Sequence, residues 1–188
     1  IPMRGWKRSM LWPETGLKWI ATSPYIPSFS SVLGYAMTGL GAQEGKFSHG
    51  IGTPYPFRLL THKKLSSDSL IKRLQALDIN GLDYKIVRTR NAKGDPVSGV
   101  YVGINNWRIL KPTELSFYMM QIVIELESPN PFKTTTRSDL FNKHVGSTQW
   151  WSELIQNHKK LRIPYFLSLW EQEQLSYKKR IENYLIYN

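Results

Sequence analysis

Residues 23–57 constrain this chain more than any other stretch. They read SPYIPSFSSVLGYAMTGLGAQEGKFSHGIGTPYPF. They hold six of the thirteen glycines (Gly34, Gly39, Gly41, Gly45, Gly50, Gly52) and four of the eleven prolines (Pro24, Pro27, Pro54, Pro56). Glycine lets backbone approach backbone or ligand and adopt positive φ, whereas proline fixes the chain on either side. Such a segment costs folding entropy that its few large side chains can hardly offset. Two readings stay open. The stretch is a tight set of turns joining core elements, or it is a ligand-facing loop on a rigid scaffold, where binding residues concentrate. Glu44, its one carboxylate, and His49 both stand between its glycines.

The rest of the chain can supply that scaffold. A length of 188 residues with 41% hydrophobic and 13% aromatic side chains suffices for a buried core in one domain, or in two small ones. No apolar run approaches the length of a membrane span. The absence of cysteine excludes disulfides and thiolate metal sites. No secretory signal is visible, and the start at Ile1-Pro2 reads as a mature or truncated product.

A formal charge of +11 points to anionic partners. The cations fall in short clusters: Arg4, Lys7, Arg8; Lys63, Lys64; Lys72, Arg73; Lys85, Arg88, Arg90, Lys93; Lys159, Lys160, Arg162; and Lys178, Lys179, Arg180. Nucleic acid, an acidic other half of a longer protein, and anionic cell-wall polymers would each suit this balance. With no zinc-finger spacing, RNP-type motif or long basic helix, nucleic acid is set aside.

Patterning predicts an α+β fold: a small mixed or antiparallel sheet packed with helices, and a long C-terminal helix. Trp6, Trp12 and Trp19 read as core or wall residues. Leu17 to Ala21 (LKWIA) reads as a short strand. Ser28 or Ser30 can cap a helix running to Gly39, with Phe29, Val32, Leu33 and Met37 near one face. Phe57 to Leu60 returns as a strand. Ser66 or Ser67 opens an amphipathic helix marked by Leu70, Ile71, Leu74 and Leu77 and stopped by Asn80-Gly81. Leu82–Thr89 and Val97–Ile104 flank the turn Lys93-Gly94-Asp95-Pro96 and predict an antiparallel hairpin. Thr113 can cap a helix over Glu114–Leu126 that is apolar all round and therefore buried. Ser128 to Thr136 reads as a connection, Gly146–His158 holds a short helix, and Phe166 to Tyr187 is the last helix. Trp170, Tyr177, Ile181 and Tyr184 mark its expected buried side.

Recognisable catalytic chemistry is sparse. His49, His62, His144 and His158 show neither HxxxH nor HExxH spacing, and no acidic cluster accompanies them, so no metal is implied. No GxSxG, GxxxxGK or GxGxxG motif is present, so no cofactor is implied either.

Several scattered pieces nevertheless share one order and spacing. They are Pro2-Met3-Arg4-Gly5-Trp6-Lys7-Arg8, Trp12, Trp19, and Ser23-Pro24 with Pro27; then Ser48, Gly50, Gly52-Thr53 and Pro56-Phe57. Gly99-Val100-Tyr101-Val102, Pro112, Phe141-Asn142-Lys143, Gly146, Trp170, Tyr177, Arg180 and Tyr184-Leu185-Ile186-Tyr187 complete the set. Together they resemble the DUF1343 family, whose characterised members are exo-β-N-acetylmuramidases of the NamZ type. The likeness spans essentially the whole chain.

The resemblance implies an exported bacterial protein, periplasmic or associated with the cell envelope. Such a protein has a Rossmann-like N-terminal domain and a smaller C-terminal domain, with a cleft between them for peptidoglycan-derived saccharide. Residues 1–188 then correspond to the C-terminal domain, with 1–57 forming the junction and cleft loops and the N-terminal domain as partner. No catalytic residue is carried over, because the family's proposed carboxylate lies in the N-terminal domain. Tyr25, Glu44, Ser48, His49 and Thr53 are the candidate substrate-binding residues. Departures from the family pattern cluster there: SPNMP becomes Ser23-Pro24-Tyr25-Ile26-Pro27, while in EGTNxSEGRGT the arginine becomes Ile51 and an acidic position becomes His49. The alternative is a non-catalytic paralogue that binds carbohydrate or assists envelope assembly.

Overall fold

A computed structural model describes residues 2–40, 42–157 and 160–187. Ile1, Gly41, His158 and Lys159, all named above, lie outside the described part. The architecture is α+β, and its sheet is antiparallel. Strands β1 (Phe47–Ser48), β2 (Leu59–His62), β3 (Leu82–Arg90) and β4 (Pro96–Ile104) are ordered β1-β2-β4-β3. The hairpin β3–β4 pairs from Leu82 with Ile104 to Arg90 with Pro96. Its turn closes because the Asn91 side-chain oxygen accepts from the backbone N–H groups of Lys93 and Asp95, both at 2.9 Å. Strand alternation turns Val100 and Val102 into the core and leaves Tyr101 on the opposite face.

Helix α3 (Glu114–Leu126) lies at the centre of that core. Leu115, Phe117, Met119, Met120, Ile122, Val123 and Ile124 are all buried, as the apolar run requires. Each such side chain contributes roughly 1.5–3 kcal/mol by leaving water. Ser116, also buried, donates to the carbonyls of Met37 (2.8 Å) and Ala36 (3.1 Å), fastening the glycine-rich stretch to this helix. Helix α2 (Ser67–Gln75) covers the sheet through Leu70 and Leu74, and its Ser66 cap accepts from the Ser69 N–H. On the far side Trp150, fully buried, meets Phe117 edge-on at 5.1 Å and donates its indole N–H to the Met120 sulfur. Among the described residues no helix is long and apolar enough to cross a membrane.

Several expectations give way to tertiary constraints. Leu17–Ala21 forms no strand, because no neighbouring strand pairs with it. Helix α1 (Phe29–Gly34), capped by Ser28, passes into a wide π-helical turn over Tyr35–Gly39. Its inward residues are Ser31 and Gly34, and Val32 is exposed, because Gly34 must lie against Phe57. Thr113 already has helical backbone and makes no side-chain cap. The connection after Ser128 contains helix α4 (Pro131–Thr134), whose Phe132 is buried, and is followed by an unexpected helix α5 (Ser138–Val145). Helix α6 (Thr148–Gln156) is where it was expected. Helix α7 (Ile163–Ile181) buries Ile163 and Phe166 and half-buries Trp170, but Tyr177 and Tyr184 are exposed. The body of the domain ends before α7 does.

Gly50 gives the sharpest test of this packing. Its φ is +75°, and an added Cβ would stand 2.4 Å from the Tyr55 carbonyl oxygen and 2.9 Å from the Leu59 Cβ. Gly50→Ala combines left-handed strain with overpacking, so a loss of about 2–4 kcal/mol is expected in urea unfolding. A loss below about 0.5 kcal/mol, the usual range for surface changes, would contradict the close approach.

Candidate functional site

Phe57 holds the candidate loops to the scaffold. It takes a positive φ of 59°, which turns its carbonyl towards α1 and its N–H towards the glycine loop. The carbonyl accepts from the Thr38 hydroxyl at 3.0 Å, and the N–H donates to the His49 carbonyl at 2.6 Å. Arg58, almost fully buried, then donates through Nε to the Val102 carbonyl at 2.6 Å and lies 5.0 Å from the Tyr101 ring centroid. Burial pulls its guanidinium below the ordinary value, against the opposing influence of Tyr101 and Asp83.

An aromatic ladder fixes the other loop. Trp12 meets Trp19 edge-on at 5.3 Å, Trp19 meets Phe29 at 6.2 Å, and Phe29 stacks on Trp107 at 5.5 Å. The Trp19 indole N–H also donates to the Ile26 carbonyl, closing the segment that presents Tyr25. The two loops meet the hairpin turn, where the Ala92 N–H donates to the Gly52 carbonyl at 2.6 Å.

Between these three pieces lies an open cavity of about 470 Å³. Its lining is Pro24, Tyr25, Pro27, Gly52, Thr53, Pro54, Pro56, Arg90, Asn91 and Ala92. Four proline rings and a tyrosine make it rigid and apolar, and Arg90 supplies its one charge. No carboxylate lines it. A larger concavity of about 620 Å³ lies by Arg8, Tyr177, Ile181 and Leu185, on a stretch of helix with little structure behind it. Its lining of Gln174, Lys178, Lys179 and Glu182 comes from exposed helix and the turn after it, whereas proline rings and the hairpin turn fix the walls of the smaller cavity, which is the better candidate.

The five sequence candidates separate in space. Tyr25, 53% exposed, and Thr53 share the cavity. The Thr53 hydroxyl serves its own turn, donating to the Gly50 carbonyl at 2.7 Å and accepting from the Tyr55 N–H. Ser48 is exposed on β1, opposite Thr61. Glu44 lies in another, smaller cleft of about 100 Å³ with Arg137, Leu140, Phe141 and His144, its carboxylate 4.0 Å from Arg137 Nε. His49 is buried, and neither ring nitrogen makes a hydrogen bond of ordinary geometry. Arg90 and Asn91 complete the cavity, although sequence reasoning sees only a basic cluster and a turn there. The contact that brings them in is the backbone hydrogen bond from Ala92 to Gly52, far apart along the chain, which no local pattern reports. Among the described residues no group of three or more His, Cys, Asp or Glu side chains could hold a metal ion.

His49 yields a pH prediction. Burial pushes its imidazole down from 6.5 to about 4, against the opposing pull of the Thr38 backbone. The unfolded chain therefore binds the proton first as pH falls. Stability from the neutral ring is complete above pH 6.5 and is lost progressively towards pH 4. The loss is on the order of 3 kcal/mol for such a shift. Comparing urea unfolding at pH 7 and pH 4.5, we expect His49→Leu to show a smaller drop in stability than wild type. An equal drop in both proteins would place the titration elsewhere.

The comparisons with known proteins agree on kinship. The family described as "Exo-beta-N-acetylmuramidase NamZ, C-terminal" matches residues 33–187. The peptidoglycan beta-N-acetylmuramidase NamZ of Bacillus subtilis (strain 168) is 24% identical over 191 aligned residues, covering 100% of this chain and 45% of its own length. The crystal structure of a DUF1343 family protein from Bacteroides fragilis superposes with a TM-score of 0.82 at 26% identity, over 98% of this chain and 49% of that one. The chain thus spans about half the length of the relatives it matches. With the family matched over most of its residues, this chain belongs to the C-terminal family of the exo-β-N-acetylmuramidase NamZ.

Proposed function

We propose that this chain is the C-terminal domain of an exported, peptidoglycan-acting muramidase-like protein, and that it forms one wall of a saccharide cleft at the Tyr25–Thr53–Arg90 cavity. The observation that carries this reading is the lining of that cavity: a rigid aromatic and proline surface with a single cation and no carboxylate. Such a surface can hold a sugar by ring contact and hydrogen bonding. It cannot by itself cleave a glycosidic bond, which generally takes two carboxyl groups flanking that bond. Glu44 does not supply one, because it lies in a different cleft beside Arg137. The hydrolytic groups are therefore assigned to the N-terminal domain, as in the two-domain organisation the family resemblance implies.

A second surface supports that partner. Residues 171–180 of α7 are exposed on every side and present Leu175 and Tyr177 to solvent, at 60% and 52% exposure. Exposed apolar side chains grouped beside a concavity mark an interaction surface. We assign this face to contact with the N-terminal domain. A non-catalytic carbohydrate-binding paralogue would use the same cavity, and would differ in lacking carboxylates in that domain.

Two measurements test the reading. Incubated with a chromogenic β-N-acetylmuramide, the chain should give no turnover above buffer, and measurable hydrolysis would contradict the division of labour. In saturation-transfer NMR with N-acetylmuramic acid, Tyr25→Ala should weaken binding several-fold while circular dichroism stays native. Unchanged binding would remove the saccharide from this cavity.

A further inference from the structure

We infer that Arg90 makes the cavity selective for saccharides bearing a carboxylate, and that its guanidinium pairs with the lactyl carboxylate of a muramic acid residue. This inference rests on the saccharide reading given above. What decides it is which polar groups of the cavity are already committed within the protein.

Those of Thr53, Asn91 and Ala92 are. The Thr53 hydroxyl both donates and accepts within its own turn. The Asn91 side chain accepts from Lys93 and Asp95 and donates to the Asp95 carboxylate at 3.0 Å. The Ala92 N–H is taken by the Gly52 carbonyl. Arg90 differs. Among the described residues its guanidinium makes a single hydrogen bond, from Nη1 to the Gly94 carbonyl at 2.6 Å, and forms no ion pair with a carboxylate.

That one bond orients the guanidinium without consuming it. Four of its five N–H donors remain for a ligand. The platform beneath is rigid, because Arg90 closes the nine-pair ladder opposite Pro96 and the Asn91 network fixes the turn that follows. The charges nearest in the hairpin are Arg88 and Lys93, which add to the positive field, and Asp95, which is held by Asn91. No acid lines the cavity to compete. A planar two-pronged donor matches a carboxylate, whereas a neutral sugar gives it no charge to meet. In muramic acid the carboxylate hangs on a lactyl ether beside the ring, so one molecule can present a ring face to Tyr25 and an anion to Arg90.

The test uses two ligands of nearly equal shape, methyl β-N-acetylmuramide and its lactyl carboxamide, titrated at low salt into wild type, Arg90→Gln and Arg90→Lys. Wild type is expected to prefer the carboxylate by about tenfold or more, the order of one charge-assisted pair. Arg90→Gln should bind both ligands alike, and Arg90→Lys should keep part of the preference. Equal binding of the two ligands by wild type would overturn the inference and leave the saccharide reading standing. So would a preference that survives in Arg90→Gln. If neither ligand bound at millimolar concentration, the saccharide reading of the cavity and the Arg90 assignment would fall together.

Discussion

The architecture of the candidate site depends on how closely the backbone at Phe57 approaches α1. At Gly34 an added Cβ would lie 2.7 Å from the Phe57 carbonyl oxygen, so only a residue without a side chain lets the two segments meet. Thr38 then bridges the carbonyls of Gly34 and Phe57 with its hydroxyl, and Phe57 passes its N–H to His49. One residue thereby ties helix, glycine loop and sheet together. A loop fastened in this way costs little entropy when a ligand arrives, because its ordering is complete before binding.

The same economy explains the density of proline and glycine. Proline fixes the walls at positions 24, 27, 54 and 56, and the turn at Gly50–Gly52 brings Thr53 and the Ala92 contact into place. Behind them the buried residues of α3 are apolar apart from Ser116, so the loops rest on a surface that cannot deform without exposing apolar side chains. At the other end of the short strands, Glu127 is buried and held between Lys46 at 3.1 Å and Lys64 at 2.9 Å. Those hydrogen bonds keep its carboxyl below the ordinary value despite burial. This cluster is structural: it locks β1 and β2 to the end of α3, and Glu127 faces lysines and His62 rather than the cavity.

Much of the scaffold is legible in the sequence because it is encoded locally. The leucines of α2 and the alternation of β4 around Tyr101 follow from a period beside a cap or a turn, and α3 is marked by its apolar run alone. What is not legible comes from non-local contact. The two-residue strand β1 is too short to carry a pattern, and the LKWIA segment has strand-like composition without a strand neighbour. The inward face of α1 follows Gly34 rather than Val32, and the outer half of α7 is apolar in places yet uncovered. For the candidate site, the glycine-rich stretch is evident, and so is the presence of Tyr25 and Thr53 near it. That these two share one cavity with Arg90, while Glu44 lies in another with Arg137, depends on a hairpin contact that composition cannot reveal. The order of the scattered motif pieces reaches the family because it samples the whole chain.

The central claim is that saccharide occupies the concavity between the proline loops and the hairpin turn. A crystal structure of the protein soaked with N-acetylmuramic acid tests it most directly. The account predicts a sugar ring against Tyr25, with the lactyl carboxylate within hydrogen-bonding distance of Arg90. A ring seated instead in the Glu44–Arg137 cleft, or along the exposed half of α7, would contradict it.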